Sequence, residues 1–386
     1  MMTTGARHAD TLRLVNARVL APEDTGATEL AIAGGLVADS LGAGVAERDC
    51  EGDLLVPGLI DLHTDNIEHH FHPRPGVTWP SGVAAAIAHD AQMLSAGVTT
   101  VLDSLSLGDY DSAGARTRML HAAIGGLDTA HAAGLLRVDH HFHFRCELSD
   151  GGLLPIIEEH VDNPRLRLMS LMDHTPGQRQ WHNLEIYREF RRKRSNEVWT
   201  DGEWQAYLAS RRAHQARFVP EARAIIAAHG RDKQIRLASH DDTTLADVAE
   251  AHADGISISE FPTTLVAAEE ARRLGQQIVM GAPNVVLGGS HSGNVGAMQL
   301  AEAGLLDVLT SDYVPASLLH AAILVGNRLG DLTAGLATVT ARPAELLGFA
   351  DRGRLAPGLR ADLLQVRLVD GMPVVRAAWV GGRRQL

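Results

Sequence analysis

The stretch Val56-Pro57-Gly58-Leu59-Ile60-Asp61-Leu62-His63-Thr64-Asp65-Asn66 opens on a Pro-Gly turn signal, runs through a short apolar strand and ends on an imidazole and a carboxylate. Side chains two apart on a strand leave the same side of the backbone, so His63 and Asp65 are expected to emerge together at the strand's C-terminal end. In an α/β barrel that end carries the chemistry. From Gly58 onward, short apolar strands alternate with Ala-rich helical segments. Strands are predicted at 59–63, 98–103, 138–147, 166–173, 235–240, 256–260, 278–281 and 306–312, with helices such as 84–96, 119–133 and 220–229 between them. Repeated βα units make a parallel sheet. About eight of them over this length fit an α/β fold of the (β/α)8 TIM-barrel type. No Gly-rich nucleotide fingerprint follows the first strand, which disfavours a doubly wound sheet.

On either side of the barrel the pattern is different. Residues 12–17, 30–35 and 54–56 read as short strands with turn signals between them, and β pattern returns at 353–364 and 374–384. A small composite β-sandwich domain built from both chain ends, 1–57 plus 346–386, is therefore expected around a barrel of 58–345. Between His174 and Ile235 lies a long connection with charged helical stretches at 187–196 and 204–217. A connection of that length at a catalytic face reads as a lid. The run Arg191-Arg-Lys-Arg194 reads as a solvated helix face rather than a basic patch.

Composition narrows the function classes. With 386 residues, 45% of them hydrophobic, the chain has ample material for a core. A net charge of -12 argues against general affinity for nucleic acid or anionic membranes. Only Cys50 and Cys146 are present, too few for a disulfide framework. No apolar run suits a bilayer, and Met1 to Asp10 lack the pattern of a signal peptide, so a cytoplasmic protein is expected. A homo-oligomer is compatible with all of this. Twenty histidines, many of them near strand ends, suggest metal or proton chemistry.

Taken as strand ends, His63, Asp65, Glu147, His174, His240 and Asp312 form a consistent set. Histidines and carboxylates delivered from different strands to one rim make a divalent metal site of the catalytic type. These donors suit zinc, with manganese or iron as alternatives, and one or two ions. Glu147 could bridge two of them. Singly, each residue has a plain reading: His174 starts a loop, His240 with Asp241-Asp242 caps the next helix, and Asp312 is an N-cap. Six such coincidences at one kind of position favour the metal site.

Pro57 to His63, the barrel, the Asp312 strand end and the closing Gly353…Pro357-Gly358…Ala361-Asp362-Leu363 segment resemble the amidohydrolase superfamily of metal-dependent hydrolases. That superfamily usually shows His-x-His on its first strand and often a carboxylated lysine as bridge, where this chain has His63-Thr64-Asp65 and Glu147. Longer blocks narrow the resemblance: Phe144-Arg-Cys-Glu147, Leu171-Met-Asp-His-Thr-Pro-Gly-Gln-Arg-Gln180, Ala238-Ser-His-Asp-Asp242, Glu260-Phe-Pro-Thr-Thr264 and Gly288-Gly-Ser-His-Ser-Gly-Asn294. They are similar to the diphosphatases that serve the bacterial carbon–phosphorus lyase pathway of phosphonate catabolism.

The resemblance implies a small anionic substrate, a ribose carrying a phosphonate at C1 and a triphosphate at C5, cleaved to the 5-phosphate and pyrophosphate. It implies that Asp312 takes a proton from the attacking water. A polyanion calls for guanidinium partners. Arg179, just past His174, is the first candidate, with Arg74 and Arg145 beside it and His291, His69 and His70 as weaker ones. The glycines of 288–294 could lend backbone N–H groups. The alternative is hydrolysis of a C–N bond in a cyclic amide or aminated heterocycle, chemistry that the same fold supports.

Overall fold

Eight parallel strands, Leu59–Thr64, Val98–Leu107, Asp139–Glu147, Leu166–Met172, Arg236–His240, Ile258–Glu260, Gln277–Gly281 and Val308–Thr310, follow one another in chain order around a nearly closed barrel. They are called barrel strands 1 to 8 below. The computed structural model describes residues 10–386 except 22, 25, 109–114, 196–197 and 291–292. Each of the eight strands predicted between 59 and 312 is a barrel strand. The seam between strands 8 and 1 is joined by a parallel bridge from Thr64 to Asp312, with Asp65 N–H donating to the Asp312 carbonyl at 2.7 Å and Asp312 N–H to the His63 carbonyl at 2.9 Å. The two residues read as site carboxylates therefore also close the ring.

Side chains fill the barrel rather than leaving a pore. Leu62, Leu102, Leu168, Ala238, Ile258, Val279 and Val308, one from each of seven strands, form a buried cluster closed by Leu346. The Pro-Gly turn ahead of strand 1 has a steric reason: a Cβ on Gly58 would lie 2.2 Å from Thr99 Oγ1, so only glycine lets the two chains cross there.

A buried polar network fixes the helix Gly82–Ser95 outside strands 2 and 3. His89 and His140 meet opposite oxygens of Asp103 at 2.6 and 2.9 Å, and Asp90 accepts the N–H groups of Arg137 and Val138 at 2.7 and 2.8 Å. Burial works against the His140 imidazolium, but Asp103 and Asp90 outweigh it and raise it from 6.5 to about 9. A group with a raised folded pKa contributes stability below its unfolded value and loses it as pH rises through the folded one. The melting temperature is therefore expected to fall between pH 6.5 and 9, and His140→Gln to flatten that fall, as scanning calorimetry at a series of pH values would report.

Both chain ends build the second unit. One sheet orders Leu36–Ala38, Leu30–Ala33, Leu12–Val15 and Ala46–Asp49. The other sets Leu54–Pro57 antiparallel against Leu363–Val369, which pairs with Met372–Val380. Leu14 and Ile32 of the first pack with Leu55, Leu363 and Trp379 of the second, all fully buried. The segment read as β from Gly353 becomes strand only at Leu363, because residues up to Asp362 form turns anchored to the barrel, where Arg352 and Arg360 both reach Asp139 at 2.6 and 3.0 Å.

The long connection between strands 4 and 5 differs most from expectation. The helices predicted at 204–217 and 220–229 are one helix, Asp201–Lys233, running through Pro220. Thr200 and Glu203 form a reciprocal capping box at its start. Buried residues from Trp204 to Gly230 pack on both sides of the proline, so tertiary burial offsets the lost backbone bond. Trp181, Tyr187, Phe190, Trp199, Trp204 and Tyr207 make a small aromatic core of their own. Arg191 belongs to it, buried and bonded to the Tyr207 hydroxyl at 2.8 Å, whereas Arg192 pairs with Glu189 on the surface. The solvated-face reading therefore fails at Arg191. Cys50 and Cys146 are free and buried. Among the described residues no helix is long and apolar enough to cross a membrane.

Candidate active site

The C-terminal ends of the barrel strands converge on an open cleft of about 830 Å³ lined by His63, Arg145, His174, His240, Asp241 and Asp312, with Gln180, Phe261, Asn284, Gly289, Ser290, Asn294 and Tyr313 around them. The backbone turns sharply where strands 5, 6 and 8 end: Asp241, Phe261 and Asp312 have φ of 58°, 55° and 57°. This left-handed conformation is unusual for residues other than glycine and most accessible to Asp and Asn, and such strained positions concentrate at functional sites. It lets Asp241 and Asp312 fold back toward the strand ends that carry them.

Two groups of donors result. His63, Asp65 and Asp312 bring three ligand-type atoms within 4.8 Å of one another, and His174, His240 and Asp241 do the same. The His174 and His240 rings are 5.8 Å apart and those of His63 and His240 6.2 Å, so the groups adjoin. Five of the six sequence candidates lie in these groups. The sixth, Glu147, is next to them: its carboxylate meets His174 Nδ1 at 2.6 Å and accepts the Ser149 hydroxyl at 2.8 Å. Ser149 is in turn reached by Arg211 of the long helix at 3.2 Å, which ties that helix to the site.

Sequence reasoning missed Asp241, which it named only as the residue after His240. The following helix, Leu245–Ala253, is capped by Thr244 in a reciprocal box with Asp247, and Asp241 is left to face the cleft. The only signal was its position directly after His240. Glu260 was also missed. It ends strand 6, buried, and sits between His63 and His240, meeting the Nδ1 atoms at 2.7 and 2.8 Å.

The electrostatics favour a cation. Burial works against the His63 imidazolium, yet Glu260 and Asp65 outweigh it and raise it to about 10. Burial would raise the Asp65 carboxyl, but Arg145 and His63 hold it well below the usual carboxylate range. Burial raises Asp312 above its ordinary value, with the charge of His63 opposing. His63 Nε2 is buried without a hydrogen-bond partner among the described residues, and its nearest acid is Asp65 at 3.5 Å. An orphaned imidazole nitrogen among carboxylates is what a metal ligand looks like when read from protein atoms alone, and the donor set suits a divalent ion of the zinc kind.

The anion-binding candidates fare differently. Arg145 lines the cleft, donating to both Asp65 oxygens at 2.7 Å while its Nε is buried and unpaired among the described residues. Arg179 turns away from the cleft. It is buried and ion-paired to Asp242, with further bonds to the His240 carbonyl at 3.2 Å and Glu250 at 3.3 Å. The long range of a guanidinium makes such a residue look free in sequence when it is committed in the fold. Arg74 is exposed and outside the cleft lining. His69 is exposed and His70 is bonded to Gln92 at 3.0 Å. His291 lies outside the described residues.

No protein-family profile matches the chain. It is 45% identical over 339 residues, 87% of its length and 89% of the other's, to the alpha-D-ribose 1-methylphosphonate 5-triphosphate diphosphatase of Escherichia coli (strain K12). Solved structures with the same fold include an amidohydrolase at 16% identity and TM-score 0.64, covering 97% of this chain and 99% of its own. Molinate hydrolase, at 13% and 0.63, covers 98% and 95%. The beta-aspartyl dipeptidase of Fervidobacterium islandicum, at 15% and 0.61, covers 97% and 96%.

Proposed function

The chain belongs to the family of alpha-D-ribose 1-methylphosphonate 5-triphosphate diphosphatases, and we propose that its cleft hydrolyses that triphosphate to the 5-phosphate and pyrophosphate by way of the residues gathered there. The observation that carries the reading is the convergence of His63, Asp65 and Asp312 with His174, His240 and Asp241 on one rim. Those two groups would hold one or two divalent ions, zinc being the best match to the donors. When bound, such an ion supplies Lewis acidity toward water and charge neutralisation toward phosphoryl oxygens.

The chain's own residues do the rest. Asp312 accepts the proton of the attacking water, and the raised affinity of its buried carboxyl for a proton suits that role. The water oxygen joins the phosphorus next to the ribose, the bond from that phosphorus to the bridging oxygen breaks, and pyrophosphate leaves with the bridging oxygen. Asp312 can return the proton to it. Arg145, in the cleft wall, keeps Asp65 charged. Gly288, Gly289 and Gly293, with φ of 79°, 156° and 79°, let the backbone beside Ser290 and Asn294 approach closely enough to donate N–H groups to phosphate. Arg179 acts behind the site, holding the His240 strand end. A phosphorylated metabolite as substrate supports a cytoplasmic location.

The reading is tested by phosphorus NMR of zinc-reconstituted protein incubated with the ribose triphosphate. Pyrophosphate and the 5-phosphate are expected. No turnover by well-metallated protein would overturn the assignment in favour of a C–N bond substrate. A strong chelator is expected to abolish activity and lower the melting temperature, and added zinc to restore both.

A further inference from the structure

The reading of His63 and His240 as cation ligands leaves one buried acid without a task. Glu260 is 1% exposed at the end of strand 6. Its Oε1 meets His63 Nδ1 at 2.7 Å; its Oε2 meets His240 Nδ1 at 2.8 Å and accepts the Ser170 hydroxyl at 2.8 Å. His63 comes from strand 1 and His240 from strand 5, which are not neighbours in the sheet. One carboxylate therefore joins two histidines delivered from different parts of the ring and belonging to different donor groups.

A carboxylate only accepts, so both rings must present N–H at Nδ1, and in the neutral form that binds a cation each then keeps its lone pair at Nε2. The Nε2 atoms are the ones that face the other donors: His63 Nε2 is 3.5 Å from Asp65 and His240 Nε2 is 3.6 Å from Asp241. Glu147 does the corresponding work for His174 alone. We propose that Glu260 is a shared positioning residue, which sets the tautomer and direction of His63 and His240 together and so couples the two donor groups. It rests on the reading of those histidines as metal ligands.

Glu260→Gln isolates the claim. A carboxamide has one acceptor oxygen and one donor nitrogen, so one of the two histidines must turn a bare Nδ1 toward it and carry its proton on Nε2. Zinc affinity, measured by competition with a chromophoric chelator, is expected to fall about 10–100-fold. Activity is expected to drop at limiting zinc and recover as zinc is raised, with KM for the triphosphate unchanged. Ser170→Ala, which leaves both histidine contacts and removes one support, should give a smaller loss in the same direction. A folded Glu260→Gln protein that binds zinc as the wild type does would overturn the proposal. If that variant does not fold, unchanged zinc affinity in Ser170→Ala would do so. Zinc binding needs no phosphonate, so a wild type that binds zinc tightly without turning over the triphosphate would sink the substrate assignment and leave this inference standing. A wild type that binds none would overturn it.

Discussion

Asp312→Asn is expected to lower kcat by about 100- to 10,000-fold, the range typical for loss of a general base. Amide and carboxylate have nearly the same shape, and the backbone bonds that close the barrel seam, Asp65 N–H to the Asp312 carbonyl and Asp312 N–H to the His63 carbonyl, are untouched by the change. The fold should therefore survive, with an unchanged circular dichroism spectrum. What is lost is the ability to take a proton, together with one charge from the group His63, Asp65 and Asp312. Pyrophosphate release followed by phosphorus NMR, with zinc saturating, reads the effect directly. Turnover within a few-fold of wild type would remove Asp312 from the proton-transfer role.

Arg179→Ala is expected to cost about 3–5 kcal/mol of stability, because removing one partner leaves a buried charge uncompensated. The orphan is Asp242, fully buried and raised by burial above its ordinary value even with Arg179 beside it. Urea unfolding of the two proteins measures the loss. The double variant Arg179→Ala/Asp242→Ala should regain part of it, since the paired residues are coupled and not additive. If Arg179 instead bound the triphosphate, its loss would raise KM and leave the unfolding midpoint where it was. The two outcomes are separable in one preparation.

The barrel was legible because its information is local. Short apolar runs such as Leu59 to Leu62, alternating with Ala-rich helical stretches, mark strands and helices wherever they occur, and each of the eight became a barrel strand. Strands without such runs were not legible: Ala46–Asp49 is mostly exposed, and its pairing with Leu12–Val15 is what makes it a strand. The break expected at Pro220 was a local rule overridden by packing. At the cleft, residue type at a strand end was enough to single out His63, Asp65, His174, His240 and Asp312, which the fold brings into two adjoining donor groups. It was not enough to say which acid faces which base. Glu147 turned to His174, Asp241 turned to the cleft, and Arg179 spent its charge on Asp242.

By itself, the sequence determined the alternation of strand and helix, the return of both ends to a second β unit, and the chemical types presented at the strand ends. Those follow from periodicity along the chain and from which residue ends each strand. Only the tertiary structure decided the partners. Glu260 meets His63 across 197 residues of chain, and Asp61 meets Thr310 across 249. Such contacts depend on ring closure and on backbone turns at Asp241, Phe261 and Asp312. A buried charge is committed to whichever opposite group the closed barrel brings within hydrogen-bond reach, and that distance is set by the fold as a whole.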